Sequence, residues 1–186
     1  MDGMKIITRT DDDALISFEA AVYRVGQGSA RKAFSRAMNH EGRKGTTALK
    51  RTLRKTTSIK ISHINEAISF HPASKYTLKT IVRGIHRPIS LRYFGPRQFK
   101  YGVRAKVWGR AQRYKGAFIV RSLGGGVFKN TGGFNEKSRR NNAIEKLWGP
   151  IIPKEMITPE VEAAFLAPMN NVADRAAHEL SRILAR

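Results

Sequence analysis

The hydrophobic period of this chain changes twice, and that change limits the fold more than any other feature. From about residue 29 to 70 apolar residues recur every three or four positions, between 76 and 130 several short stretches alternate, and from 158 to 185 the helical spacing returns. Helices at both ends of a strand-rich middle predict an α+β fold: N-terminal helices, a small and mainly antiparallel sheet with long loops, and a C-terminal amphipathic helix. A chain of 186 residues suits one domain. Its expected parts are an N-terminal extension (1–28), a helical region (29–70), sheet and loops (76–130) and the C-terminal helix (158–185).

Each segment carries its own signals. Asp11-Asp12-Asp13 precedes an apolar stretch from Ala14 to Tyr23, a helix with acidic residues at its positive end. Gly26 and Gly28 break it, and Ser29 can cap a second helix bearing Ala30, Ala33, Phe34, Ala37 and Met38, then Ala48, Leu49 and Leu53. Met38 and Leu49 lie about three turns apart, so both halves fit one stripe. Gly42 and Gly45 each weaken a helix by roughly 1 kcal/mol relative to Ala, which leaves two options open: one continuous helix, or a break near 41–46. Ile61, Ile64, Ala67 and Ile68 predict a short helix over 61–70. Tyr76–Arg83 reads as a strand, the alternation of Ile89, Leu91 and Tyr93 as a second, and Ala117–Arg121 and Val127–Lys129 as a hairpin turned by Leu123-Gly124-Gly125-Gly126. Parts of 96–116 and of 130–142 are expected as mobile loops. Thr158, Pro159, Glu160 and Glu162 start the last helix, with Val161, Phe165, Met169, Val172, Ala176, Leu180 and Ile183 on its buried stripe and Pro168 set to kink or divide it.

Charge narrows function. Lys and Arg number 35 against 14 Asp and Glu, a formal charge of +21. Residues 31–140 hold 27 of those cations and three acids, Glu41, Glu66 and Glu136, while both ends are close to neutral. Such a field favours a polyanion or an acidic protein face. The candidate cations are Arg51, Arg54 and Lys55 on the second helix and Arg104, Lys106 and Arg110 within 98–115. In that stretch aromatics interleave with cations, a composition that suits nucleic acid and equally a protein interface.

Several chemistries find no residues to carry them. There are no cysteines, hence no disulfide, thiolate nucleophile or Cys-ligated metal. Gly42-Arg43-Lys44-Gly45-Thr46-Thr47 has the wrong spacing for a phosphate loop and reads first as a hinge. The Leu123–Gly126 run lacks the helix and acidic residue of a dinucleotide fingerprint. The five histidines are scattered, and the acids of the basic region stand tens of residues apart, too dispersed for a metal-dependent nuclease. No enzyme activity and no cofactor are expected. No run approaches the roughly 20 apolar residues of a spanning helix, so no membrane partner is expected, and the N-terminus lacks the apolar core of a secretory signal.

Tyr93-Phe94-Gly95-Pro96-Arg97-Gln98, followed by Lys100, Gly102-Val103 and Val107-Trp108-Gly109, then Gly116–Val120, Gly126-Val127-Phe128 and Ile144–Met156, resembles the minor tail protein Z, or tail completion, family of lambda-like phages and prophages. The resemblance spans roughly residues 30–180, includes Ala48–Leu53 before Thr57–Lys60, and fits residues 1–28 least. It implies a structural virion protein at the head-proximal end of a long tail, made in the host cytoplasm and needed for head–tail joining, with no active site. It further implies a ring, six-fold to match the tail tube, around the DNA channel. Its partners would be the tail terminator or tail tube protein, the head–tail connector proteins and, without sequence preference, the genomic DNA end. A sequence-nonspecific nucleic-acid-binding protein is the alternative. Within Ile144–Met156, the apolar cluster Leu147, Trp148, Pro150, Ile151, Ile152 and Pro153 reads as a stretch poor in helix that serves either as a core seal or as a subunit interface.

Overall fold

The computed structural model describes residues 5–8, 27–86, 88–134, 136 and 143–184. The fold is α+β. A helix α1 (Gln27–Thr57) runs unbroken for 31 residues, about 46 Å. After it come α2 (Ile61–Ala67), β2 (Ile68–His71) and β3 (Thr80–Gly84), with β1 (Lys5–Thr8) ahead of them all in the chain. Next are β4 (Pro88–Ser90), a 3-10 turn (Leu91–Phe94), β5 (Arg97–Phe99), β6 (Gly102–Val107), β7 (Arg110–Lys115), β8 (Ala117–Val120) and β9 (Gly126–Asn130). The chain closes with β10 (Ile144–Lys146), β11 (Trp148–Ile151), α3 (Ile152–Met156), α4 (Pro159–Met169) and α5 (Val172–Leu184). The strands make four small antiparallel sheets, ordered β1-β3-β2, β5-β6-β7, β8-β9-β10 and β4-β11, in place of the single sheet expected.

One core joins helices to sheets. Leu49 and Leu53 of α1 meet Ile64 of α2, Val82 of β3, Leu91 and Phe94 of the 3-10 turn, the inner residues Val103, Ala105 and Val107 of β6, Ile152 and Met156 of α3, and Phe165 of α4. Toward its N-terminus α1 is covered by α5, where Phe34, Ala37 and Met38 meet Val172 and Ala176, and Ala30 and Ala33 meet Leu180. Since α4 and α5 advance as their partners on α1 recede, the C-terminal helices run antiparallel to α1.

The two glycines at 42 and 45 are not a hinge. They sit in the continuous helix because neighbours come too close for larger side chains. A Cβ at Gly45 would lie 2.6 Å from the Phe165 carbonyl oxygen, and one at Gly42 would lie 3.0 Å from the Phe70 ring. The helix-propensity cost of each glycine, roughly 1 kcal/mol, is offset by the close packing it permits. Gly45→Ala is therefore expected to destabilise by about 1–2 kcal/mol net. Gly42→Ala, whose neighbour is a half-buried ring able to turn aside, should change stability by less than about 0.5 kcal/mol. Denaturant midpoints of the two variants check the contrast.

Elsewhere the structure departs from the sequence reading at identifiable places. The helix over 61–70 ends at Ala67, and Ile68–His71 is strand β2, paired to β3. The strand expected over 76–83 begins only at Thr80, and that expected through Tyr93 stops at Ser90, where the chain winds into the 3-10 turn that buries Leu91 and Phe94. Residues 97–115 form a three-stranded meander and not a loop. The 117–129 hairpin forms as expected. The C-terminal helix divides after Pro168 into α4 and α5. Thr158 stands at the N-cap, yet its hydroxyl donates to the Glu155 carbonyl at 2.8 Å and does not cap the helix. The helix expected over 14–23, Asp11–Asp13 and most of 130–142 lie outside the described residues.

Candidate polyanion-binding surface

Two groups of exposed cations stand out among the described residues, one on α1 and one on a sheet. On α1 there are nine Lys and Arg and one acid, Glu41. Lys32, Arg36, Arg43, Lys50 and Arg54 fall within about half a right angle of one another around the axis and make a stripe about 33 Å long. Arg51 and Lys55 form the adjacent ridge with Lys44, and all three are exposed. Arg54 and Lys55 lie in the last turn, where they also complement the negative end of the helix dipole.

The second face is the solvent side of the β5–β7 meander. The register pairs Arg97 with Arg104 and Arg104 with Arg113, so three arginines stand side by side across three strands. Directly opposite residues share a face, and all three are exposed. Lys106 lies two residues along β6 and Lys115 two residues along β7, both on the same side and exposed. The alternate residues Val103, Ala105 and Val107 enter the core. Among the described residues, none of these five cations forms an ion pair.

Arg110 does not join Arg104 and Lys106. It pairs with Val107, whose side chain is on the core side, so it belongs to the other side of the meander at the hairpin tip. That tip, Trp108-Gly109, has positive φ at both residues (51° and 70°), the backbone of a tight two-residue hairpin turn. It is fastened to the end of α1: the Trp108 amide donates to the Thr57 carbonyl at 3.2 Å and the Gly109 amide to Ser58 Oγ at 3.0 Å. Trp108 Nε1 donates to Glu155 Oε1 at 2.9 Å. Arg110 is thereby held at the end of α1 that carries Arg54 and Lys55.

The aromatics of this stretch have structural work. Phe99 and Tyr101 stack on each other, centroids 5.4 Å apart and nearly parallel, and the Arg113 guanidinium lies 5.6 Å from the Tyr101 centroid. Tyr114 is half-buried against the core, where burial pushes its phenol above the usual range. Arg97 and Arg113 do not stand out in the sequence, because a segment that reads as a loop has no register; the alternation of Val103, Ala105 and Val107 is the available signal.

Of the apolar cluster after β10, Pro150, Ile152 and Pro153 are buried, Leu147 and Ile151 half-buried, and Trp148 is 48% exposed. Gly149 lets the chain press on Phe94, whose ring would lie 2.8 Å from a Cβ there. Trp148 borders a cleft of about 510 Å3 lined also by His63, Ser90, Arg92, Tyr93 and Lys146, with the Lys146 ammonium 4.4 Å above its ring.

Glu41 is the one buried acid of the basic region. Burial pushes its carboxyl up, but hydrogen bonds from His40 Nδ1 (2.8 Å) and Lys44 Nζ (3.0 Å), with their charges, outweigh this and hold it below the usual carboxylate range. A depressed folded-state pKa means stability that is present above the unfolded-state value and lost as pH falls through the folded one. Lowering the pH from 5 to 3 should therefore reduce the Tm of the wild type more than that of Glu41→Gln, as thermal scans at each pH would show. Among the described residues no group of three or more His, Asp and Glu could hold a metal ion, and no helix is long and apolar enough to cross a membrane. Comparison of the chain with protein-family models, with curated proteins and with solved structures finds no match.

Proposed function

We propose that this chain is a tail-completion protein of the minor tail protein Z type, a structural subunit that forms a ring around the DNA channel at the head-proximal end of a phage tail. In this reading it is made in the host cytoplasm and becomes part of the virion. It contacts further copies of itself in a six-fold ring, the tail terminator or tail tube protein, and the head–tail connector, and it catalyses no reaction and uses no cofactor. Arg51, Arg54, Lys55, Arg104, Lys106 and Arg110 face the channel or these partners.

The observation that carries the reading is the set of segments that resemble the family. These segments are far apart in sequence, yet Phe94 packs on Gly149, Trp108 is bonded to Glu155, and the Leu147 amide donates to Val127 at 2.8 Å. The basic faces suit a subunit that meets DNA of every sequence, since phosphate contacts position without specifying. The experiment is deletion of the gene from the phage that encodes it, followed by electron microscopy of the lysate. Separate full heads and tails, rejoined when the protein is supplied, are expected; joined, infectious particles without it would refute the proposal. The alternative, a free sequence-nonspecific nucleic-acid-binding protein, is favoured by one observation, the in-register arginine row.

A further inference from the structure

The solvent face of the β5–β7 meander carries an unusual arrangement. Like charges directly opposite one another on adjacent strands repel, and here two such pairs share Arg104: Arg97 with Arg104, and Arg104 with Arg113. Adjacent strands are about 4.8 Å apart, so the three arginine Cα positions span about 10 Å. Lys106 and Lys115 extend the field along the strands, and among the described residues no carboxylate pairs with any of them. The face is not flat: Arg97, Phe99, Gly95, Arg104 and Lys106 line a shallow depression of about 340 Å3. Repulsion left uncompensated inside the subunit is relieved by an anion that touches several guanidinium groups at once.

From this geometry we infer that the Arg97–Arg104–Arg113 row, with Lys106 and Lys115, is a binding surface for the phosphate backbone of duplex DNA. The aromatic rings on the face decide between duplex and single strand. A single-strand platform needs rings free to receive bases, whereas Tyr101 is stacked on Phe99 and approached by the Arg113 guanidinium. Both rings are 40% exposed, but they are stacked on each other and the five cations outnumber them, which suits the outside of a duplex. The inference deepens the proposed function and rests on it for the presence of a DNA duplex beside the subunit.

The test compares Arg97→Gln/Arg104→Gln/Arg113→Gln with Arg51→Gln/Arg54→Gln/Lys55→Gln, two full-length variants that lose the same charge. Fluorescence anisotropy with a labelled 20-base-pair duplex of arbitrary sequence, and with one of its strands alone, is measured across a salt series. For the sheet variant, affinity for the duplex at 0.1 M salt should fall about a hundredfold, and the slope of log affinity against log salt should shrink by about 2 to 3. The α1 variant should stay within about threefold of wild type. The sheet variant should melt no lower than wild type, because its substitutions remove repulsion. Unchanged duplex binding by the sheet variant, equal losses in both variants, absence of duplex binding by the wild type, or tighter binding of the single strand would each overturn the inference. Light scattering on the same samples separates the two ideas. Rings with DNA binding indifferent to the arginine row would sink this inference alone, and a monomer that binds duplex through that row would sink the ring reading alone.

Discussion

Gly102→Ala is expected to destabilise the protein by about 3 kcal/mol and to disorder the basic sheet face. Gly102 opens β6 at φ 141°, a conformation that side chains rarely adopt, and a methyl there would collide with the Tyr114 carbonyl oxygen and lie 3.0 Å from the Gly116 amide nitrogen. Both obstacles are backbone, so no rotamer change relieves them. Because Gly102 faces Phe99 on one side and Lys115 on the other, any shift propagates to the register that aligns Arg97, Arg104 and Arg113. A Tm lower by about 8 °C is the expected reading, together with weakened duplex binding. Gly109→Ala is the comparison: φ is 70° there, but nothing lies within 4 Å of the added methyl, and the loss should be about 1 kcal/mol.

Phe165→Ala should be the most damaging single truncation, at about 3–5 kcal/mol. The side chain is fully buried, belongs to the core shared by helices and sheets, and is the surface on which Gly45 of α1 rests. Removal leaves a cavity at the crossing of α1 and α4 that the long, continuous α1 cannot collapse to fill. Thermal unfolding should show a Tm reduced by about 10 °C or more. Loss of the same size at half-exposed Leu166, which is 39% exposed, would contradict this assignment of the core.

How far the sequence could be read depended on the range of the interactions involved. The α+β class, the 117–129 hairpin and the division at Pro168 follow from period, turn residues and a missing amide donor, all local properties. The stretch 97–115 did not read as strands because its solvent-facing positions are Arg and Lys, and its inward residues, Val103, Ala105 and Val107, are few and small. Only pairing with neighbours brings Arg97, Arg104 and Arg113 into line. Gly42 and Gly45 leave the continuity of α1 open in the sequence for a similar reason: their value lies in contacts with Phe70 and Phe165, more than 25 and more than 100 residues away in sequence. Leu91 and Tyr93 alternate like strand residues, yet burying both Leu91 and Phe94 calls for a 3-10 turn. For the candidate site, Arg104 and Lys106 were legible by charge. That Arg110 lies on the opposite side of the meander was not, since it follows from the turn at Trp108-Gly109.

A subunit that works as a ring at the top of a tail, as proposed, is tested most directly by its mass in solution. Light scattering at near-physiological salt would be run on the pure protein and on its mixture with the cognate tail tube or terminator protein. A ring-sized species, six copies of the 20.9 kDa chain, is expected, formed alone or on addition of the tail partner. A monomer that stays a monomer in the presence of tail components would contradict the proposal.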